Sequence, residues 1–474
     1  MNKPVHILRY GTVGEKTQLG RAINAFDYLA INGNSAAYVS RAIAKFIVEK
    51  FFSKKDKGFF IDPITYAFQQ KIHLLYNKSN KSEKILKKSI KKLIDIYQEP
   101  VKKINNDEPI LPSDFDEASV LEGFCTRVLD FQYNIISNYI DDNDLKEYLR
   151  YAAENMNGIL DNFHPEFLIA PYFYLNPNDM DFKKWLNLNV IFINKSIDIT
   201  KTQLNGCSVF GQIVINKDIL KNKNTMELVS EGYKNCNCDG FTIWVDGFNE
   251  HEESQDILDG FIYFLHSIRK FHKKPIYNMY GSFFSVLLTH RSIQLLNGVS
   301  HGMEYGEYRE VYPVGGGLPV SRYYYMPLHH RKDFTKAFYL LEYNKIINTS
   351  LKNWGNTERY FKEVCKCEQC LEILNKDMSD FIKFESDRYY EVRSKNNNII
   401  RRKKASPETK ENCLYHYLLC KKMEFSMICK MNIKEELEKL KSEKDKYLNN
   451  TFLDEDELDY IDHWYNVINN LQED

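Results

Sequence analysis

The sequence predicts an α/β chain closed into a (β/α)8 TIM barrel, and three observations carry that prediction. Short apolar or β-branched runs recur along the chain, amphipathic segments of helical period separate many of them, and the runs number about eight. The candidate strands are GFFIDPITYAF (58–68), FLIAPYFYL (167–175), NVIFINKSI (189–197), SVFGQIVI (208–215), GFTIWVDGF (240–248), PIYNMYG (275–281), GVSHGMEYG (298–306) and RYYYMPLHH (322–330). Repeated strand and helix alternation implies parallel strands, and eight such units close most naturally on themselves. A doubly wound open sheet is the alternative. No G-x-G-x-x-G follows the first run, and Gly315–Gly317 precede no convincing helix, which argues against a dinucleotide site.

Ahead of the first run, VHILRYGTVGEKTQLG reads as a small hairpin and NSAAYVSRAIAKFIVEKFF as a helix, so residues 1–57 form an N-terminal appendage. The barrel then occupies 58–350. Its first connection, about 70–163, is far longer than one crossover helix requires and is mostly helical, a placement typical of insertions at the catalytic face. Later connections read as helices in DILKNKNTMELVSEGYKN, ESQDILDGFIYFLHSIRKF, SFFSVLLTHRSIQLLN and RKDFTKAFYLLEYN. Residues 351–474 are expected to form a cysteine-bearing subdomain with a helical tail. Within it SKNNNIIRRKKASPETKEN is polar and turn-rich, the pattern of a mobile loop, and EELEKLKSEKDKYL reads as a charged surface helix.

Composition excludes several classes. No apolar run approaches the roughly 18 to 20 residues that span a bilayer, and MNKPVHILRY lacks the apolar core of a secretory signal. The expected address is cytoplasmic, with no membrane partner. A net charge of −1 announces no nucleic-acid partner by itself, although KSEKILKKSIKKLI and Arg401–Lys404 are locally dense in cations.

The ten cysteines are too sparse for a disulfide framework, yet Cys365, Cys367 and Cys370 crowd into VCKCEQC. That spacing holds several thiolates within reach of one tetrahedral ion, and Lys366, Glu368 and Gln369 make packing a poor explanation, so Zn²⁺ is expected. Candidates for the fourth ligand are His416, Cys413, Cys420 and Cys429.

In a barrel, chemistry gathers at the C-terminal ends of the strands. The polar residues there are Asp62, Asp246, His301, Glu304, Glu307, His329 and His330. Paired carboxylates in one mouth divide into an acid or base and a nucleophile when their surroundings separate their pKa values. Structural roles compete at each position: Asp62 before Pro63 and Asp246 before Gly247 also suit turns, and a histidine among apolar neighbours suits the core.

Barrel strands followed by C-x-C-x-x-C and a helix resemble the tRNA-guanine transglycosylases, including relatives that insert 7-deazaguanine bases into DNA. FFIDPITYAFQ is similar to that family's Asp-Ser-Gly-Gly-Phe-Gln strand, which places Asp62, Phe68 and Gln69 at its aspartate, phenylalanine and glutamine. SVFGQIVI, with Gly211, resembles the phenylalanine-glycine strand, CDGFTIWVDGFNEHEES the glycine-rich strand, and KPIYNMYGSFFSVLLTHRSIQLLNGV the segment leading to the nucleophile. The resemblance runs from about Phe59 to about Ile433. It implies base exchange in tRNA or DNA through a covalent nucleoside intermediate, a structural zinc, and a nucleic acid and a 7-deazaguanine base as partners, with a homodimer or a partner subunit also admitted. Asp62 would manage a proton, and Phe68, Gln69, Gly211, Trp244 and His301 would face the base. The chain departs from the family where its nucleophilic aspartate should follow Gly298-Val299. SHGMEYGE has none, which leaves Glu304, then Glu307, with Asp246 in reserve. The family's zinc histidine aligns with Met431, a poor Zn²⁺ ligand, so His416 or Cys429 would have to complete the site. A non-catalytic nucleic-acid-binding or partner subunit, or a base-releasing hydrolase, are the alternatives.

Overall fold

The computed structural model describes residues 3–473 apart from 11–15, 52, 53, 55, 78–83, 140–142, 144, 145, 148, 149, 151–163, 304, 305, 313–320, 376, 386–388, 394–398, 404, 405 and 448–454. Eight parallel strands form a nearly closed barrel: β1 (Val5–Tyr10), β2 (Tyr28–Asn32), β3 (Gly58–Asp62), β4 (Leu168–Ile169), β5 (Val209–Ile215), β6 (Gly240–Val245), β7 (Ile276–Asn278) and β8 (Gly298–Gly302). They are hydrogen-bonded in the order β3-β2-β1-β8-β7-β6-β5-β4. At the remaining seam Glu166 N donates to Phe59 O (2.9 Å).

The barrel class and strand number agree with the sequence reading, but two strands were assigned to the wrong segments. VHILRY is barrel strand β1 rather than half of a hairpin, and YLAIN supplies β2, so the barrel begins at Val5 and Asp62 ends its third strand. Parallel strands buried on both faces show no alternation, and polar His6 and Arg9 disguised β1 further. Conversely, NVIFINKSI lies inside the helix Phe182–Gln203, whose buried Trp185, Asn189, Phe192, Ser196 and Ile199 recur every three or four residues. RYYYMPLHH leaves the barrel altogether. It forms the antiparallel pair β9 (Tyr323–Tyr325) and β10 (His330–Lys332).

The main helices are α1 (Ser40–Phe51), α2 (Lys88–Tyr97), α3 (Ala118–Tyr133), α4 (Phe182–Gln203), α5 (Lys223–Tyr233), α6 (Gln255–Phe271), α7 (Phe334–Tyr343), α8 (Pro407–Met427), α9 (Ile433–Asp445) and α10 (Asp459–Glu473). The stretch expected to be a mobile loop, 394–412, contains β12 (Ile399–Lys403), which pairs antiparallel with β11 (Tyr389–Arg393) just before it, and ends in the first turns of α8. Ser406 caps α8 by accepting from Thr409 N (3.0 Å), and Pro407 fits its first turn because no backbone donor is needed there.

The strand registers stack side chains along the barrel axis in layers of four from alternate strands, the arrangement this fold uses to fill its centre. Ile7, Phe60, Phe210 and Tyr277 form one layer, with Phe167 between Phe60 (4.5 Å between centroids) and Phe210 (3.9 Å). Ala30, Ile169, Thr242 and Ser300 lie above. Arg9, Asp62, Gln212 and Met279 form the third layer, and Trp244 and Asn32 lie over it at the C-terminal mouth. The lower layers are apolar and the upper ones polar, which is how a barrel separates its stability from its chemistry.

A methyl group at Gly240 would come within 2.3 Å of the Phe210 ring, which cannot retreat because Phe167 and Tyr277 stack against it. Gly240→Ala should therefore cost about 1–3 kcal/mol, read as a lowered urea midpoint with an unchanged slope.

Candidate functional site

Two groups of chemically active side chains emerge, one at the barrel mouth and one beside β9. At the mouth, Asp62 is fully buried. Its Oδ2 accepts from Arg9 Nη2 (3.1 Å), and its Oδ1 accepts from Ile64 N (3.1 Å) and the Tyr172 hydroxyl. Arg9 Nη2 also donates to Asn32 Oδ1, and its guanidinium lies 4.6 Å from the Tyr280 ring centre. Taking an ion pair out of water costs several kcal/mol per ion, so one at the mouth of a barrel marks a place where stability was not the only requirement. Aromatic rings surround it. Tyr66 meets Trp244 edge-on (5.3 Å), Trp244 lies against Tyr280 (5.0 Å), and Tyr312 crosses Tyr66 (6.2 Å).

Asp246, at the end of β6, is also engaged: Tyr174 OH donates to Oδ2 (2.6 Å) and Val311 N to Oδ1 (2.7 Å). Through that bond and the one from Trp244 Nε1 to Arg309 O (3.0 Å), the segment after β8 is drawn over the mouth. Glu307 points elsewhere. It accepts from Lys421 Nζ (2.6 Å) and Tyr417 OH (3.1 Å), both on α8. Glu304 lies outside the described residues.

Four residues expected to face a base do other work. His301 faces outward beneath α8, where Tyr417 meets its ring edge-on (5.4 Å). Its Nε2 donates to His6 Nε2 (3.1 Å), since His6 must use its Nδ1 proton on Ala25 O (2.7 Å). Burial pulls His6 down to about 4 and His301 below its ordinary value, so both rings are neutral at pH 7. Gly211 also faces outward, where a methyl group would strike Ile193 of α4. Phe68 packs on Tyr97 of α2, and Gln69 bonds the backbone of Tyr174 through both amide atoms (2.8 and 3.0 Å). Trp244 alone of that group sits in the mouth.

Helix α8 fastens the end of β8. Lys421 bridges Glu307 and Glu424 Oε2 (3.0 Å), and Glu424 Oε1 meets His329 Nδ1 (2.6 Å) and the Tyr324 hydroxyl. Burial disfavours the Glu424 carboxylate, but Lys421 and His329 outweigh it and bring the group down to about 2. His329 is thus a structural partner rather than a mouth residue. His330 stacks on His251 (4.1 Å), also away from the mouth.

The second group is a buried Cys3His set able to hold a metal ion: one donor atom from each of Cys365, Cys367, His416 and Cys420 lies within 4.8 Å of the others. Cys365 Sγ is 3.6 Å from Cys420 Sγ, and His416 Nδ1 is 3.2 Å from Cys367 Sγ. The other imidazole nitrogen donates to Tyr324 O (2.8 Å), which fixes the tautomer and turns the Nδ1 lone pair toward the sulfurs, as metal-binding histidines require. Cys420, one helical turn after His416, joins the converged set, its Sγ 3.6 Å from His416 Nδ1. Cys370 remains adjacent, its Sγ 3.3 Å from His416 Nδ1 and 3.1 Å from Tyr360 OH. Cys413 instead donates to Phe384 O (3.5 Å), and Cys429 is exposed.

Sequence reasoning missed Arg9, Asn32 and Tyr172 at the mouth. A charged residue inside the apolar run VHILRY was the available signal for Arg9; the other two carried none.

Cys420→Ser should abolish stoichiometric metal, measured by elemental analysis of unchelated protein, whereas Cys370→Ser should retain more than half. Glu424→Gln should destabilise the fold by about 3 kcal/mol at pH 7 by leaving Lys421 and His329 undercompensated. Because the Glu424 pKa is depressed, its contribution is complete above the ordinary carboxylate value of 4.5 and fades as pH falls toward 2, so the gap between wild type and variant should narrow over that interval in urea titrations. Among the described residues no helix is long and apolar enough to cross a membrane. No protein-family model matches the chain, and no curated protein matches it in sequence.

Proposed function

We propose that this chain is a base-exchange protein of the tRNA-guanine transglycosylase kind, acting in the cytoplasm on guanine in tRNA or DNA with a 7-deazaguanine base as the incoming partner. The observation that supports this reading best is the buried Asp62–Arg9 pair at the C-terminal mouth, set among Tyr66, Tyr172, Trp244 and Tyr280. Flat aromatic walls and a carboxylate suit a heterocycle whose ring nitrogens exchange protons. The reaction would be a double displacement: a carboxylate attacks C1′ as guanine leaves with the glycosidic electron pair, and the incoming base then attacks C1′ and releases the carboxylate. Asp62 would move the proton on the base, and Glu304 is the first choice for nucleophile because Glu307 and Asp246 are held by other groups. The Cys3His set suits Zn²⁺, whose four protein ligands would leave no open position, a structural role.

One observation favours a second reading, a non-catalytic nucleic-acid-binding or partner subunit. Asp62, Asp246 and Glu307 each already have strong partners.

Radiolabelled guanine supplied with tRNA or duplex DNA decides between them. Incorporation that falls at least 100-fold in Asp62→Asn, together with a covalent adduct on denaturing gels that Glu304→Gln removes, is the expected outcome. Binding of nucleic acid without incorporation or adduct would establish the second reading instead.

A further inference from the structure

The C-terminal helix α10 is tied to the barrel at the loop that joins β6 to α6, residues 246–254. Trp464 Nε1 donates to Glu250 O (2.9 Å) and His463 Nδ1 to Glu253 O (3.0 Å). The other end of the same loop reaches the barrel mouth: Asp246 Oδ1 accepts from Val311 N (2.7 Å), and Gly247 N donates to Arg309 O (3.1 Å). The loop is therefore pinned at one end by the segment over the mouth and at the other by α10. Tyr460, Ile461, Trp464, Val467 and Ile468 recur at helical spacing and are buried, which lays one face of α10 on α6 and α9.

Apolar packing alone would fasten such a helix at any pH. The joint instead holds a cavity of about 380 Å³ lined by three histidines, His251, His330 and His463, with Tyr460 and four carboxylates. His251 and His330 stack with their centroids 4.1 Å apart and their rings 12° from parallel. Tyr460 and Trp464 of α10 close on His251 at 4.8 and 5.1 Å, and Tyr460 lies 5.6 Å from His330, so the helix is what covers the pair. His251 Nε2 donates to His329 O (3.1 Å), whereas His330 Nδ1 is buried without a partner among the described residues.

Charge arriving on these rings finds no free counter-charge. Of the four lining carboxylates, Glu253 is held by Lys217 (2.7 Å), Glu457 by Lys332 (2.7 Å) and Lys336 (2.6 Å), and Asp459 by Lys444 (3.0 Å), while Glu252 is exposed. Glu307 favours a proton on His251 but is itself joined to Lys421 (2.6 Å). On the other ring, His251, Lys332, Arg322 and Lys336 all oppose one. Burial beneath α10 accordingly keeps both rings neutral, His251 at about 4 and His330 well below its ordinary value.

From this joint we infer that α10 is an acid-sensitive strap: docked at neutral pH it fixes the β6–α6 loop beside the mouth, and proton uptake by the stacked His251–His330 pair releases it. The strap acts on the loop whatever reaction takes place at the mouth. Its sign follows from the lowered histidines, which bind fewer protons docked than released. Docking is at full strength above the ordinary value of 6.5 and weakens, about tenfold per pH unit for each ring exposed, as pH falls from there toward about 4.

Hydrogen exchange of the full chain, corrected for the pH dependence of the intrinsic rate, tests the strap. Between pH 6.5 and about 5, protection in α10 and in residues 249–254 should fall together by about a hundredfold, while β5, which holds no histidine, keeps its protection. His330→Phe keeps a ring on His251 and removes one titrating group, so its fall should be only about tenfold. Adding His251→Gln, whose amide nitrogen still reaches His329 O, should leave the protection of α10 nearly flat. A fall as steep in His330→Phe as in wild type would overturn the proposal, a readout that stands even where the double variant does not fold. Loss of protection spread evenly over β5, opening of α10 with residues 249–254 unmoved, or undiminished protection of wild type at the lower pH would each overturn it as well.

Discussion

The arrangement of the barrel's rim depends on one helix, α8, whose middle, Asn412 to Lys421, is buried on every side. One face carries His416 and Cys420 to the sulfur cluster, the next sends Lys421 and Glu424 into the ion network that takes up Glu307 and His329, and Phe425 stacks on His6 at 4.4 Å. A helical stretch buried all round cannot be placed by hydrophobicity alone, because burial has no direction. Its orientation comes from the polar bonds. Lys421 has to find two carboxylates and His416 a carbonyl, and only one rotation of the helix satisfies both.

That constraint passes to the mouth through β8. Arg331 donates to Gly302 O (3.0 Å) and Met303 O (2.6 Å) while lying on the Tyr417 ring of α8, so the exit of β8 is held between the β9–β10 pair and the helix. Beyond that exit the chain passes over the mouth and bonds Asp246 and Trp244. The Cys3His group and the barrel mouth are therefore connected through a short chain of contacts along α8, the exit of β8 and the segment beyond it.

Much of this was legible from sequence, for reasons specific to each element. β5 to β8 announced themselves because their apolar runs sit between strong turn signals and helices of clear period. β1 and β2 did not, since His6 and Arg9 interrupt the one and the short helix Gly33–Tyr38 follows the other directly. NVIFINKSI misled because its β-branched residues favour strands, while packing of α4 against the sheet determined the outcome. The three cysteines of VCKCEQC were visible through their spacing, while Cys420 stayed one of four candidates for completing the site because a single cysteine in a helix carries no pattern until the fold brings it to His416. His301 and Gly211 face outward, which could not be read in advance because a strand's side chains alternate between faces and its sequence alone does not fix the register.

The ribbon β11–β12 lies between Cys367 and His416, which are 49 residues apart in the chain. An ion shared by those two residues would act as a cross-link closing a long loop, comparable to a disulfide but able to form under reducing conditions where a disulfide would not last. Closure of a loop that size removes unfolded-state freedom equivalent to about 4 kcal/mol. The segment it encloses can thus lengthen or vary in sequence at small cost, because each doubling of a closed loop adds only about 0.6 kcal/mol. A metal ion held there would make the barrel's rim a permissive point of insertion, and the ribbon is what this chain has placed there.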